Sequence, residues 1–227
     1  MQTPAKGQSV AILSFLHNVN YGSILQAYAL QQVLLGLGCD PCHLNYQPDA
    51  REKTLNLLAH QNSPALLLEG AQKRSLARRE PAAGRKKAEI ARFMKANLRL
   101  TAPLHNRQAL ARAAAAFDTV LCGSDQIWSP TWLNTAYYLD FVAAGRHRVA
   151  YAPSLGVQRL PPAHKRAAIR RALAGFRWVS VREESGRQVL RRITRREDIA
   201  VVLDPVCLLP AEHWLRIASP APRQRPY

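Results

Sequence analysis

The sequence has few acidic residues and few cysteines, and it contains no long apolar run. It has 15 Asp and Glu against 32 Lys and Arg, so the formal net charge of the 227-residue chain is +17. No run reaches the ~18 consecutive apolar residues of a membrane span. The N-terminal stretch MQTPAKGQSV lacks the apolar core and the cleavage site of a signal peptide. The 4 cysteines are therefore expected to be reduced thiols. Together these absences predict a cytoplasmic globular protein.

The positive charge is concentrated in two segments. Residues 70–112 hold 12 Lys and Arg against 2 Glu, and residues 165–196 hold 11 against 2. Both segments alternate Arg with Ala and Leu at helical spacing, which is typical of the solvated face of a helix. No nucleic-acid-binding motif accompanies them, so no nucleic acid is expected as a partner. An anionic glycan, or peripheral contact with an anionic membrane surface, would suit the same segments.

Short apolar runs alternate with helical patterns along the chain. The expected strands are Val10–Leu16, Cys42–Tyr46, Thr119–Cys122, Arg148–Ala152, Trp178–Val181 and Ile199–Leu203. The expected helices are Ser23–Leu37, parts of 64–98, Asn106–Phe117, Pro162–Phe176 and Ser185–Ile193. This alternation predicts an α/β fold with a Rossmann-like parallel sheet flanked by helices.

The predicted Rossmann-like domain comprises residues 1–204. Within it, residues 47–105 show few strand signals and are expected to form a helical, Arg- and Ala-rich insertion. Residues 205–227 contain a turn, the start of a helix and a Pro- and Arg-rich end. We expect them to be the stub of a missing second domain with a disordered tail.

The first expected strand leads through a polar turn into a helix. Ser23 is expected to cap this helix and Gln26 to complete a capping box, while Gly38 offers a left-handed stop. A helix N-terminus after a strand presents backbone N–H groups to an anion. The turn lacks the three glycines of a dinucleotide fingerprint and the lysine of a P-loop. It therefore predicts a phosphate- or carboxylate-sized site of another family.

Small and polar residues follow each expected strand. In a doubly wound sheet, ligands bind beyond the carboxyl ends of the strands, so we expect these residues to share a cleft. The residues predicted to bind substrate there are Asn20, Gly22, Gly123, Ser124, Asp125, Ser154 and Arg182.

Arg182 is the most suggestive of these residues, because a guanidinium can bind a carboxylate or phosphate through two parallel hydrogen bonds. Structural interpretations stay open for others: Asp125 can cap a helix, and the nearby Trp128 can belong to the core. His17 and His105 are candidate general bases. No Ser–His–Asp arrangement and no pair of carboxylates stands out from the spacing of the residues, so the catalytic residues are not predicted. No metal site is predicted either.

The segment CDPCH, residues 39–43, formally matches the pattern of c-type haem attachment. Cys42 and His43 begin an expected buried strand, which leaves little room for a porphyrin. A zinc site needs more ligands than this pair offers. We therefore predict core or surface thiols and no cofactor.

Six segments of the chain resemble the polysaccharide pyruvyl transferase family. They occur in the family's order and together cover most of the chain. The segments are NYGSILQAYALQQVL (20–34), VLCGSDQIWSP (120–130), YYLDF (137–141), YAPSLG (151–156), VSVREESG (179–186) and VVLDPVCLL (201–209).

This resemblance implies the N-terminal half of a GT-B-like architecture with two facing Rossmann-like domains. It also implies transfer of the enolpyruvyl unit of phosphoenolpyruvate to a glycan acceptor, a sugar of a surface polysaccharide, as a ketal with loss of phosphate. By the same resemblance, Arg182 would hold the donor. The cleft between the domains would be lined by Asn20, Gly22, Gly123, Ser124 and Asp125.

Family members carry a His-containing motif in the second domain, which helps to bind and protonate the donor. The sequence ends before such a motif, so a truncated product is expected to be inactive or to await a partner. The alternative hypothesis is a non-catalytic module that binds an anionic glycan or a nucleic acid. The residues indicate neither the acceptor sugar nor the oligomeric state.

Overall fold

Six parallel strands form one sheet in the computed structural model of the chain, which describes residues 7–17, 20–60 and 81–218. The strands are β1 (Ser9–Leu13), β2 (Asp40–His43), β3 (Thr119–Cys122), β4 (His147–Ala150), β5 (Trp178–Val181) and β6 (Ile199–Val201). The helices of these ranges are α1 (Tyr21–Gly36), α2 (Ala50–Ala59), α3 (Pro81–Asn97), α4 (Arg107–Ala114), α5 (Ala163–Leu173), α6 (Glu184–Thr194) and α7 (Ala211–Ile217). The predicted α/β fold with a parallel sheet flanked by helices is confirmed. No described helix is long and apolar enough to cross a bilayer.

The strand order is β2-β1-β3-β4-β5-β6, and every neighbouring pair is parallel. The chain passes from β1 outwards to β2 and then returns to β3 on the other side of β1. The connections therefore diverge between β1 and β3. In doubly wound sheets, the crevice at such a switch point, beyond the carboxyl ends of the strands, is where ligands bind.

The central strands are buried because helices cover both faces of the sheet. Ala11 and Leu13 belong to the largest core cluster, whereas Val10 and Ile12 pack with Leu30 of α1 on the opposite face. This alternation follows from the opposite directions of successive side chains in a strand. The nearly continuous apolar sequence of the strands is typical of parallel sheets covered on both sides.

Helix α1 lies between the sheet and α3. Its Ile24 and Tyr28 pack against Ile90 and other apolar residues of α3. Gly38 follows the helix with a φ of +78°, so the predicted left-handed stop is confirmed.

Residues 47–105 are only partly helical. Helices α2 and α3 agree with the prediction, but residues 98–104 are not helical and contain two isolated parallel bridges, which pair Leu100 with His43 and Leu104 with Tyr46. The prediction of an all-helical insertion is wrong for this segment, because its conformation comes from backbone pairing with residues 43–46 rather than from its own periodicity. Residues 61–80 of the insertion lie outside the described residues.

Residues 205–217 pack against the apolar cluster between α1 and α3. A short 3-10 helix, Pro205–Leu208, precedes α7, and Trp214 and Ile217 of α7 join the cluster between α1 and α3. Tyr28 Oη lies 2.8 Å from His213 Nε2. The tail predicted to be disordered falls mainly on residues 219–227, which lie outside the described residues.

Candidate functional site

A cavity of about 440 Å³ lies at the switch point, beyond the carboxyl ends of β1 and β3. Its lining combines one carboxylate, one serine hydroxyl, four amide side chains and three aromatic side chains, one of them a tyrosine, and its described residues include no Lys, Arg or His. We call it the switch-point cavity. The lining residues are Asp125, Ser23, Asn20, Asn56, Gln126, Asn134, Phe15, Trp132 and Tyr137.

Helix α1 begins earlier than predicted. Asn20 is the N-cap, and its Oδ1 accepts a hydrogen bond from the backbone N–H of Gly22 at 2.8 Å. Ser23 is therefore the third helical residue, and the predicted capping box of Ser23 and Gln26 is wrong. Asn is at least as good a cap as Ser, and the Ser23 and Gln26 side chains bond to other elements instead.

Asp125 connects the loop after β3 to α1. Its Oδ2 accepts a hydrogen bond from Ser23 Oγ, and its Oδ1 accepts one from the Gln126 backbone N–H at 2.6 Å. The residue has a φ of +75°, a left-handed conformation that persists only where the surroundings impose it. No helix begins at Asp125, so the hypothesis that it caps one is wrong. Its carboxylate faces the cavity as part of the lining.

Two glycines of the predicted site lie close to other atoms, Gly123 to the backbone of Tyr151 and Gly22 to the side chain of Asn20. A Cβ at Gly123, which has a φ of +133°, would lie 1.9 Å from the backbone oxygen of Tyr151. A Cβ at Gly22 would lie 3.3 Å from Asn20 Oδ1. Gly123 thus lets the loop after β3 cross the end of β4, which no larger residue would allow.

The two serines of the predicted site are buried within the loops after β3 and β4. Ser124 Oγ donates to the backbone oxygen of Ala152 at 2.9 Å, and the Ser154 N–H donates to the backbone oxygen of Asp125 at 2.8 Å. Both serines are almost fully buried. They tie the loops after β3 and β4 together and so hold the Asp125 carboxylate in place.

Arg182, directly after β5, is held by two carboxylates. Its Nε donates to Glu183 Oε1 and its Nη1 to Asp204 Oδ2, each at 2.9 Å. Asp204 Oδ2 also accepts a hydrogen bond from Gln26 of α1, and Asp204 Oδ1 accepts one from the Val206 N–H at 3.1 Å. The Arg182 Nη2 group has no partner among the described residues. Arg182 does not line the switch-point cavity.

Helix α1 nevertheless links Arg182 to that cavity. Ser23 and Gln26 are three residues apart on one face of the helix, which corresponds to about 4.5 Å along its axis. Ser23 bonds to Asp125, and Gln26 bonds to Asp204, the partner of Arg182. The structure therefore brings the predicted residues at the ends of β1, β3 and β5 to one edge of the sheet.

The two histidines proposed as general bases lie elsewhere. His17 Nε2 is 2.7 Å from Asn45 Oδ1, and burial lowers the pKa of His17. His105 Nδ1 donates to the backbone oxygen of Gln47 at 2.9 Å. Neither histidine lines the switch-point cavity.

Several lining residues were not found from the sequence. Asn134 caps the 3-10 helix Thr135–Tyr138, its Oδ1 accepting from the Ala136 N–H at 3.0 Å, and that local capping signal could have been recognised. Asn56 comes from α2 in the insertion, and its Nδ2 donates to the backbone oxygen of Leu133 at 3.0 Å. No local signal in the sequence indicates that α2 reaches the site.

A second cavity, of about 510 Å³, borders the first at Asn56. Arg107 crosses it and forms ion pairs with the buried Glu52, at 3.3 Å, and with Asp140. His60 also lines it, and its pKa is lowered by burial and by nearby positive charge, Arg107 foremost. The carboxylates of this cavity are thus paired within the protein.

The fold and the first cavity together define a doubly wound α/β protein with a polar site at its topological switch point. The sequence model of the polysaccharide pyruvyl transferase family matches residues 20–226. The chain belongs to this family, whose members transfer a pyruvyl group to a glycan acceptor. No curated protein and no solved structure showed a significant match.

Proposed function

We propose that the chain transfers the pyruvyl unit of phosphoenolpyruvate to two hydroxyls of a sugar in a surface polysaccharide. The product is a cyclic ketal with a free carboxylate, and inorganic phosphate is released. The observation that carries the proposal is the polar cavity at the switch point of a chain from this family. The proposed location is the cytoplasm, where phosphoenolpyruvate is available. In a GT-B-like arrangement this edge of the sheet would face a second domain.

The proposed roles of the predicted residues differ. Asn20 and Asp125 contact substrate, because both line the cavity. The glycines and serines do not contact substrate: Gly22 and Gly123 leave room for neighbouring atoms, and Ser124 and Ser154 fix the loop that carries Asp125.

Arg182 is proposed to hold the donor. Its side chain is 28% exposed, and of its two partners Glu183 is the more exposed, at 36% against 17% for Asp204. Exposed ion pairs contribute little to stability, so a phosphate or carboxylate of the donor can displace Glu183 at small cost. Asp204 would then continue to orient the guanidinium while its other nitrogens bind the donor.

The test compares Arg182→Ala with Arg177→Ala, which removes the arginine at the opposite end of β5. Phosphoenolpyruvate should raise the melting temperature of the wild-type chain and of Arg177→Ala by mass action. It should not do so for Arg182→Ala. In the presence of a polysaccharide acceptor, the wild-type chain and Arg177→Ala should release phosphate, and Arg182→Ala should not. Equal stabilisation of both variants would contradict the role of Arg182.

The same assay separates catalysis from binding alone. A wild-type chain that binds an anionic glycan but never releases phosphate from phosphoenolpyruvate would contradict the proposed reaction. That result would favour the non-catalytic binding module instead, with the Arg-rich helices as its ligand surface.

A further inference from the structure

We infer that the switch-point cavity is the acceptor subsite, that it takes a neutral sugar with a free pair of hydroxyls, and that Asp125 accepts the proton of the attacking hydroxyl. The proton step rests on the proposed function. The assignment of a sugar to this cavity rests on the lining alone.

The charge of the lining disfavours the donor as the ligand of this cavity. Phosphoenolpyruvate carries a phosphate and a carboxylate, whose ionised oxygens only accept hydrogen bonds. The described lining offers such a ligand no Lys or Arg, and its one charged group is the Asp125 carboxylate, which repels an anion. A neutral ligand avoids this repulsion.

The unused hydrogen-bonding groups of the lining match hydroxyls. Asn56 Oδ1, at the border of the two cavities, is buried and has no hydrogen-bond partner among the described residues, so a hydroxyl that reaches it would supply the missing donor. Asn20 uses its Oδ1 as the cap of α1, and its Nδ2 has no partner in the described part of the chain and requires an acceptor. A sugar hydroxyl both donates and accepts, so a ligand with several hydroxyls can satisfy both amides.

The aromatic residues of the lining match the apolar face of a sugar ring. The Phe15 ring lies 5.0 Å from the Trp132 ring and 4.8 Å from the Tyr137 ring, measured between centroids. Trp132 is only partly buried. A cavity with an aromatic wall and a few fixed polar groups orients a ligand that has one apolar face and a polar rim.

Asp125 keeps capacity for a substrate hydroxyl. Its two oxygens accept one hydrogen bond each, from Ser23 Oγ and from the Gln126 N–H, whereas a carboxylate has about four acceptor sites. The Ser23 hydroxyl is buried on α1 and fixes the orientation of the carboxylate. Asp125 would therefore be a catalytic base, and Ser23 a positioning residue.

The reaction balances with Asp125 as the base. The first sugar oxygen bonds to C2 of the donor while its proton passes to Asp125, which releases it to solvent, and C3 takes up a proton from solvent to become a methyl group. The second sugar oxygen then bonds to C2, and the bond from C2 to the phosphate oxygen breaks with its electron pair. The two sugar hydroxyls lose two protons in total. The new methyl group gains one proton and the released phosphate gains the other, so Asp125 is again ionised at the end of the reaction.

The binding experiment uses the wild-type chain with methyl glycosides, monitored by tryptophan fluorescence and ligand-observed NMR. Glycosides with a free pair of neighbouring hydroxyls should bind, methylation of either hydroxyl should weaken binding at least tenfold, and phosphoenolpyruvate should not compete. Asn20→Ala should weaken glycoside binding, whereas Asn106→Ala, which removes the equivalent cap of α4, should not. Competition by phosphoenolpyruvate would overturn the assignment.

The catalytic experiment compares Asp125→Asn with Asp118→Asn. Asp118 accepts a hydrogen bond from Ser9 Oγ at 2.6 Å, at the opposite edge of the sheet. This serine–aspartate pair resembles that of Ser23 and Asp125 and serves as the control. Asp125→Asn should lower kcat by about 10²–10⁴-fold while the dissociation constants of glycoside and donor change less than threefold. Ser23→Ala should lower kcat less than Asp125→Asn does, and Ser23→Thr, which keeps the hydroxyl that bonds to Asp125, should restore it. Wild-type kcat in Asp125→Asn would overturn the role of Asp125.

The two proposals fail in different ways. If the glycosides bind as expected but the wild-type chain releases no phosphate, the proposed function fails and the acceptor subsite stands. If phosphate is released but Asn20→Ala impairs binding of the donor rather than the glycoside, the proposed function stands and the acceptor subsite is refuted.

Discussion

Replacement of His43 by leucine should remove a large part of the acid sensitivity of the fold. His43 lies in β2, fully buried, and burial lowers its pKa from 6.5 to about 4, a shift that the Ala27 backbone opposes only in part. Neither ring nitrogen makes a hydrogen bond of good geometry with the described residues. Between these two pKa values the unfolded chain binds the proton and the folded chain does not. Stability is therefore lost as the pH falls through this interval.

The size of the effect follows from the shift. One pKa unit corresponds to about 1.4 kcal/mol, so His43 should account for a loss of about 3 kcal/mol in unfolding free energy between pH 7 and pH 4. Urea unfolding followed by tryptophan fluorescence, at half-unit steps of pH, measures this loss. His17 and His60 also have lowered pKa values. Both histidines are present in the wild type and in His43→Leu, so their contributions to the unfolding free energy cancel when the two proteins are compared. Parallel stability curves for wild type and His43→Leu would refute the reasoning.

Three further substitutions test the framework of the site by urea unfolding. Gly123→Ala should lose more than about 2 kcal/mol, because its Cβ would overlap the Tyr151 backbone; a loss below 0.5 kcal/mol would contradict the close approach. Gly36→Ala, at an uncrowded position near the end of α1, should be stabilising by about 0.5–1 kcal/mol. Asp204→Ala should lose about 1–3 kcal/mol, because the hydrogen bond that joins Gln26 of α1 to the turn after β6 is broken; unchanged stability would show that this contact is dispensable.

The fold was largely predictable because its central strands carry a strong local signal. Residues 119–122 and 178–181 were predicted with the bounds that the structure shows, since a parallel strand covered on both faces is a short apolar run between polar turns. The non-helical segment 98–104 was not predictable from its own residues. Its backbone pairs with residues 43–46, more than fifty positions away in the sequence.

The site was predictable where it follows a strand. Asn20 and Asp125 were predicted to share a cleft because the carboxyl ends of parallel strands meet at one edge, and both line the switch-point cavity. The partners of Arg182 were harder to predict. Nothing in the sequence indicates that its guanidinium forms ion pairs with Glu183 and Asp204. The aromatic wall and Asn56 come from segments whose position depends on tertiary packing, so no local pattern indicates them.

Backbone amide hydrogen exchange in the presence of phosphoenolpyruvate and a methyl glycoside with a free diol tests the central claim most directly. Added protection is expected in residues 20–26 and 123–129, the start of α1 and the loop after β3. Helices α4 and α5, beside the second cavity, should exchange as they do without ligand. Protection confined to α4 and α5, or none in the loop that carries Asp125, would contradict the account.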